Sequence, residues 1–266
     1  MITVAPNGAR KTKTDHPSLP LTPQELAQTA KDCLETGAAM MHLHVRDDQG
    51  KHSLEPDLYL KAMECVKQAV GDELVLQITS EACGVYTPEQ QMAAMRQLHP
   101  ESMSLAINEF VPDQEHEAEA ARFFHWVSER EILPQYIVYS TDDLKFYQDL
   151  LYREIVPATP HLLLFVLGKY ATGQQSRPDD LLPFLDVQEM KTPWAVCAFG
   201  KEEYNCMKRA IASGGHARVG FENNLYLSDG QQAKDNAALV HQLANAVLED
   251  GYTLATADDV RSLFSA

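Results

Sequence analysis

Short apolar segments alternate with longer amphipathic segments along the whole chain. Eight of them, rich in β-branched and other apolar residues, have the composition of buried strands: residues 2–5, 39–45, 74–79, 101–107, 135–139, 161–166, 193–199 and 216–221. Helical patterns follow these segments at residues 22–36, 57–70, 87–98, 116–131, 141–154, 179–190, 201–213 and 234–249. Eight strands that are each followed by a helix, in a chain of 266 residues, predict an α/β fold, the (β/α)8 TIM barrel.

Local signals support these helices and their order. Thr22-Pro23 and Thr87-Pro88 each place an N-cap residue before a proline in the first helical turn. Residues 255–264 predict a short extra helix near the C-terminus. No linker, low-complexity tract or repeat interrupts the pattern, so we expect a single TIM-barrel domain over residues 1–266. The alternative is an open doubly wound sheet, but no GxGxxG motif follows the first strand to support a dinucleotide site.

The charge balance limits the classes of partner. The chain has 38 Asp and Glu against 22 Lys and Arg, a formal net charge of −16. Such a surface repels phosphate backbones and anionic lipid, so we expect neither a nucleic acid nor a membrane partner. The sequence has no apolar run long enough for a membrane span and begins without a signal-like segment, which predicts a cytoplasmic protein. The five cysteines are widely spaced without a CxxC pair, so free thiols are expected.

Two histidines mark the end of the second strand. Side chains of a strand alternate between its faces, so His42 and His44 point to the same side. Along the eighth strand, Arg218, Gly220 and Glu222 alternate in the same way, and alternate barrel strands contribute to the same interior layer. Two imidazoles and a carboxylate form a common donor set for a divalent metal, so His42, His44 and Glu222 are predicted metal ligands. The alternative is a pair of core histidines and a surface glutamate.

Other polar residues follow the ends of neighbouring strands, where barrel enzymes place their active sites. The loop at residues 79–84 (TSEACG) is small and hydroxyl-rich, which suits binding of a carboxylate or carbonyl group. Ser104 lies on the fourth strand and Asn108 follows it. After the first strand, three cations in four residues, which include Arg10, are candidates to receive an anionic substrate.

Four blocks of sequence carry a resemblance to a known family. These are residues 2–10 (ITVAPNGAR), 42–47 (HLHVRD), 79–84 (TSEACG) and 214–225 (GGHARVGFENNL). In this order and spacing they resemble the β-keto acid cleavage enzymes over nearly the full length of the chain. The resemblance implies a TIM barrel that assembles as a homotetramer and binds a divalent metal, normally zinc. It also implies a retro-Claisen type reaction, in which a β-keto acid and the co-substrate acetyl-CoA give acetoacetate and a new acyl-CoA.

The resemblance also implies roles for single residues. His42, His44 and Glu222 match the metal ligands of the family, and Arg218 matches its catalytic arginine. Substrate contacts are implied for Thr79, Ala82 and Ser104. The loop and strand-end positions described above add Arg10, Ser80 and Asn108 as candidate substrate contacts.

Two positions depart from the family pattern. Arg10 stands where the lysine-fermentation member has an acidic residue that binds an ammonium group, so a substrate with a neutral or anionic side group is expected. Asn223 stands where that member has a catalytic aspartate, and an amide cannot act as a general base. We therefore hypothesise that Glu81, where that relative has glycine, supplies the base.

Two other functions remain open at this point. A TIM-barrel metallohydrolase also uses an HxH pair, but on its first strand, and here His161 lies at the start of the sixth strand, the wrong end for a ligand. A metal-binding homologue with altered or lost chemistry is the other alternative, because of Asn223.

Overall fold

Eight parallel strands close into a barrel in a computed structural model that describes residues 1–189 and 191–264. Within these residues the strands, in chain order, are β1 (Ile2–Val4), β2 (Met40–Leu43), β3 (Val45–Arg46), β4 (His52–Ser53), β5 (Val75–Thr79), β6 (Ser102–Ala106), β7 (Leu133–Val138), β8 (Leu162–Leu167), β9 (Trp194–Ala198) and β10 (His216–Val219). The barrel runs β1-β2-β5-β6-β7-β8-β9-β10 and closes by pairing β10 with β1, while β3 and β4 form a separate antiparallel hairpin. The predicted (β/α)8 fold is confirmed.

Most of the helices of the described residues cover the outside of the barrel, and the last of them lies against its amino-terminal end. The helices are α1 (Pro23–Glu35), α2 (Pro56–Val70), α3 (Pro88–Leu98), α4 (Ile107–Phe110), α5 (Glu117–Glu129), α6 (Thr141–Tyr152), α7 (Leu182–Val187), α8 (Glu203–Ala212), α9 (Asn236–Glu249) and α10 (Ala257–Ser262), with 3₁₀ turns at Gln114–His116 and Pro178–Leu181. Thr22 and Thr87 cap α1 and α3 as predicted, each in a reciprocal capping box. None of the helices within the described ranges combines the length and apolar character that a membrane span requires.

Three local predictions differ from the structure. The strand predicted at 39–45 ends at Leu43, because the chain turns away and pairs Val45–Arg46 with His52–Ser53 across a turn held by the Asp47 carboxylate. The helix predicted at 179–190 is a 3₁₀ turn followed by the short α7, and its last residue lies outside the described residues, as do residues 265 and 266 of the predicted domain. The short α4, which follows β6 directly, was not predicted.

The alternation along the strands separates two environments. One set of side chains packs between the barrel and the helices in the main apolar core, for example Met41 and Leu43 of β2. The opposite set points into the barrel, where Met40 and Val75 pack against Ala257 and Val260 of α10 at the amino-terminal end. Further along the same strands the interior carries polar side chains, among them His42, Gln77 and Thr79. The five cysteines are all free thiols, as expected.

Candidate active site

His42, His44 and Glu222 converge at the carboxyl end of the barrel. The Nε2 atoms of the two histidines are 3.2 Å apart, and Glu222 Oε2 lies 3.7 Å from His42 Nε2 and 3.5 Å from His44 Nε2. Two donors that bind one zinc ion at about 2.0–2.1 Å with a tetrahedral angle are roughly 3.3 Å apart. The spacing of the three donor atoms therefore fits a shared metal ion.

Close backbone approach brings Glu222 to the histidines. Gly220 has φ 142°, and a Cβ atom there would lie 2.3 Å from the Ala5 oxygen, so only glycine lets the turn after β10 pass against β1. The Glu222 amide then donates to Ala5 O at 3.0 Å. Gly8 faces the same turn from the β1 side, and a Cβ atom on it would lie 2.5 Å from Glu222 Cγ. The two glycines thus position the carboxylate.

The electrostatics also fit a metal ligand set. Burial, and then the nearby Arg218, lower the pKa of His42 to about 3, so its imidazole is neutral at pH 7. The Nδ1–H of His42 donates to Gln77 Oε1 at 2.8 Å, which leaves the Nε2 lone pair facing the group. Burial alone would raise the pKa of Glu222, but Arg218 and the histidines lower it well below its usual range. Glu222 Oε2 is buried without a hydrogen-bond donor from the described residues, as expected for an oxygen that binds a cation.

The sequence as a whole matches one family model. That model is described as BKACE, beta-keto acid cleavage enzyme, and it matches residues 1–265. The chain belongs to the beta-keto acid cleavage enzyme family.

Two curated relatives align with this chain over almost their full length. The chain is 29% identical over 270 residues to the 3-keto-5-aminohexanoate cleavage enzyme of Fusobacterium nucleatum subsp. nucleatum, covering 100% of this chain and 97% of that protein. It is 26% identical over 274 residues to the 3-oxoadipate:acetyl-CoA acetyltransferase of Cupriavidus necator, covering 99% of this chain and 93% of that protein.

A solved structure shares the fold. The apo structure of ObcA superposes with a TM-score of 0.73 at 17% identity, covering 93% of this chain and 65% of ObcA. The chain thus spans about two thirds of the ObcA length, and at this identity the likeness concerns the fold alone.

An inner cavity lies beside the histidines, and its empty volume, open solvent at its mouth included, is about 370 Å³. Its polar wall contains five of the predicted site residues besides His42 and Glu222: Thr79, Ser80, Glu81, Ser104 and Arg218. The Ser80 hydroxyl donates to the Ser104 carbonyl at 2.6 Å, whereas the buried Ser104 hydroxyl has no partner among the described residues. The Ser104 hydroxyl is thus open to a ligand.

An outer cavity adjoins the inner one, and its empty volume, open solvent included, is about 760 Å³. Arg10 lines this outer space and has no hydrogen bond or ion pair within the described residues, while Lys11 Nζ donates to the Glu222 carbonyl at 2.6 Å. Lys13, the third cation of this segment, pairs with Glu25 of α1 at 2.7 Å instead. Two of the three cations therefore face the outer cavity.

Four residues line both cavities and form the neck between them: Glu81, Lys169, Phe199 and Glu222. Lys169 Nζ contacts Glu81 Oε1 at 3.2 Å. Burial would raise the pKa of Glu81, but His44 and Lys169 lower it, so the carboxylate is ionised at neutral pH. The neck therefore carries a fixed ion pair beside His42, His44 and Glu222, which we call the metal-ligand group because they are the predicted metal ligands.

Besides His44, three predicted site residues lie outside both cavities within the described part of the chain. Asn108 is exposed on α4, where its Nδ2 donates to Asp143 Oδ1 at 2.7 Å. Ala82 is nearly buried, and its amide donates to Glu109 Oε2 at 2.9 Å. Asn223 is buried behind Arg218, whose guanidinium donates to its Oδ1 at 3.4 Å. The geometry adds no support for substrate contact by these three residues.

The sequence reasoning missed two contributors to the site. Lys169 follows β8 in a segment without a recognisable motif, and only the closed barrel brings it to Glu81. Arg46 belongs to the HLHVRD block but was given no role. Its buried guanidinium donates to the carbonyls of Gly8, Lys11 and Gly50, so it ties the loop after β1 to the hairpin. The arginine that follows the two histidines in the HLHVRD block was the available signal.

His161, which bears on the metallohydrolase alternative, lies far from the metal-ligand group. It precedes β8 and packs against Tyr136 and Tyr147, at the amino-terminal end of the barrel. The family membership and this position both argue against the metallohydrolase alternative.

Proposed function

We propose that this protein condenses a β-keto acid with acetyl-CoA and releases acetoacetate and a new acyl-CoA. The observation that carries the proposal is the group of the buried His42 and His44 with the partly buried Glu222, placed where a two-part cavity meets the open end of the barrel. The proposal agrees with the family and with relatives whose names specify acetyl-CoA-dependent transfer.

The three donors would hold a divalent ion, and we propose zinc because two imidazoles and a carboxylate suit it. A divalent ion held there supplies Lewis acidity toward the carboxylate and keto oxygens of a β-keto acid. The guanidinium of Arg218 is fixed by Glu222 at 2.9 Å and by Asn223, so it stabilises negative charge that develops in the inner cavity.

The reaction needs a base, because a proton must leave the carbon between the two carbonyl groups. We propose that the Glu81 carboxylate accepts this proton, because it is ionised and lines both cavities. The resulting carbanion forms a C–C bond with the acetyl carbon, and the thioester C–S bond breaks. The released thiolate then forms a C–S bond with the original keto carbon, the old C–C bond breaks, and acetoacetate recovers the proton.

The charge of Arg10 indicates which class of side group the substrate carries. Arg10 is a cation in the outer cavity without a hydrogen bond or ion pair to any described residue, so a neutral or anionic substituent is favoured over an ammonium group. The resemblance and the sequence supply the rest of the proposal, which is one barrel domain, a homotetramer and a cytoplasmic location.

The test uses the zinc-loaded protein with acetyl-CoA and a pool of neutral and dicarboxylic β-keto acids. Mass spectrometry should detect a new acyl-CoA together with acetoacetate. Glu222→Gln is the matched control and should lose both metal and product. Absence of product from protein that retains zinc would refute the proposed reaction and favour a binding protein or a different chemistry.

Glu81→Gln separates the base from the rest of the site. Removal of a general base lowers kcat by about 10²- to 10⁴-fold, while zinc affinity should stay unchanged. If Glu81→Gln keeps most of the wild-type turnover, the base is another group.

A further inference from the structure

Lys169 reaches the neck because the chain reverses sharply after β8. Gly168 has φ 79°, and a Cβ atom there would lie 2.9 Å from the backbone of Gln175 and Ser176. The segment therefore folds back on itself and brings Lys169 over the open end of the barrel. Only 16% of the Lys169 side chain is exposed, although lysine usually lies in solvent.

Two neighbours fix the ammonium group. Lys169 Nζ lies 3.2 Å from Glu81 Oε1 and 3.4 Å from the Tyr139 hydroxyl, and it sits 4.7 Å from the centre of the Tyr139 ring. An ammonium carries three N–H donors. The described residues accept two of them, so one donor is left in a cation that lines both cavities.

The position of this donor suggests its partner. Glu222, the predicted metal ligand, lines the same two cavities, so a molecule bound at the metal-ligand group must pass or touch the neck. Every β-keto acid carries a carboxylate. A fixed ammonium that is partly desolvated makes a strong charge-assisted hydrogen bond to such an oxygen.

We propose that Lys169 contacts the substrate, with its ammonium donating to a carboxylate oxygen of the bound β-keto acid. This inference rests on the proposed function. Glu81 and Tyr139 hold the ammonium in place, and Lys169 thus has two roles, fixing Glu81 and binding substrate. The second role is the one that requires a test, because the first follows from the ion pair alone.

A double-mutant cycle separates the two roles. The variants are Lys169→Met, Glu81→Gln and the combination, with Lys169→Arg as the charge-conserving control. The probe is acetoacetate, which binds without turnover when acetyl-CoA is absent, and the readout is its Kd for the zinc-loaded protein by calorimetry. We expect Lys169→Met to weaken binding by about 10- to 100-fold in both backgrounds. Lys169→Arg should retain most of the affinity, and zinc affinity should be unchanged in all variants.

Three outcomes overturn the inference. One is wild-type affinity in Lys169→Met. The second is an effect that vanishes in the Glu81→Gln background, since Lys169 would then act only through Glu81. The third is a wild-type protein that does not bind acetoacetate. The double variant removes both charges together and avoids a buried unpaired carboxylate, so it keeps the test informative if Lys169→Met folds poorly. Acetoacetate binding that depends on Lys169, without acyl transfer, would refute the proposed reaction and leave this inference standing.

Discussion

Gly8→Ala tests whether close packing of the loop after β1 positions the carboxylate of Glu222. The perturbation has two parts. Gly8 has φ 58°, and a left-handed alanine costs about 1–2 kcal/mol of folding stability. The new Cβ atom would also lie 2.5 Å from Glu222 Cγ, where ordinary contacts begin at 3.4 Å, so the carboxylate must move by about 1 Å.

That displacement is large compared with the tolerance of a metal site, whose bond lengths are fixed within about 0.2 Å. Loss of a well-placed ligand oxygen should weaken zinc binding by at least about 10- to 100-fold, the range for disturbed supporting contacts. The assay is competition with a chromophoric chelator, combined with urea unfolding of the metal-free protein.

Gly251→Ala is the matched control. Gly251 has φ 84°, and no atom lies within 4 Å of an added Cβ, so it carries the backbone cost without the overlap. We expect both variants to lose stability and only Gly8→Ala to lose zinc affinity. Equal zinc affinity in the two variants would refute the reasoning that Gly8 positions Glu222.

Three further predictions concern other contacts. Ser104→Ala should raise the KM for the β-keto acid about tenfold without lowering stability in urea, because its buried hydroxyl has no partner within the described residues; an unchanged KM would contradict this role. Arg10→Glu should raise the KM for a dicarboxylic substrate more than for a monocarboxylic one, as measured by the ratio of the two values, and an unchanged ratio would exclude contact with the side group. Glu25→Gln should lower the free energy of unfolding by about 1 kcal/mol at pH 7. Burial opposes ionisation of Glu25, but Lys13 and the Leu21 and Thr22 amides lower its pKa to about 2, so the folded state gains stability above the unfolded pKa near 4.5 and loses it as the pH falls toward 2. The difference from wild type in urea unfolding should shrink over that range, and a constant difference would argue against the ionised cap.

The fold and the convergence of His42, His44 and Glu222 were predictable because both depend on short-range periodicity. Alternation places His42 and His44 on one face of a strand, and the barrel rule then places Glu222 of the last strand in the same layer. These inferences need no knowledge of loop conformation. The predicted boundary at residue 45 was wrong for the opposite reason, since a turn held by Asp47 redirects the chain into a hairpin.

The remaining parts of the site depend on loops and on long-range contacts. Asn108 was placed near the substrate because it follows a strand, but α4 begins at once and turns it outward to Asp143. Lys169 and Glu81 are separated by 88 positions, and no local pattern connects them. Their contact arises only when the loops after two non-adjacent strands meet over the barrel.

Within the described residues, every hydrogen bond from Arg46 to the loop after β1 goes to a backbone carbonyl group, those of Asn7, Gly8 and Lys11. A backbone carbonyl group can accept the same hydrogen bond whichever side chain its residue carries. The side chain at position 10 can therefore change by mutation while the loop keeps its shape and the metal-ligand group its geometry. Under the role proposed for Arg10, position 10 is thus a site where substrate preference can change, in evolution or in the laboratory, without rebuilding the rest of the site.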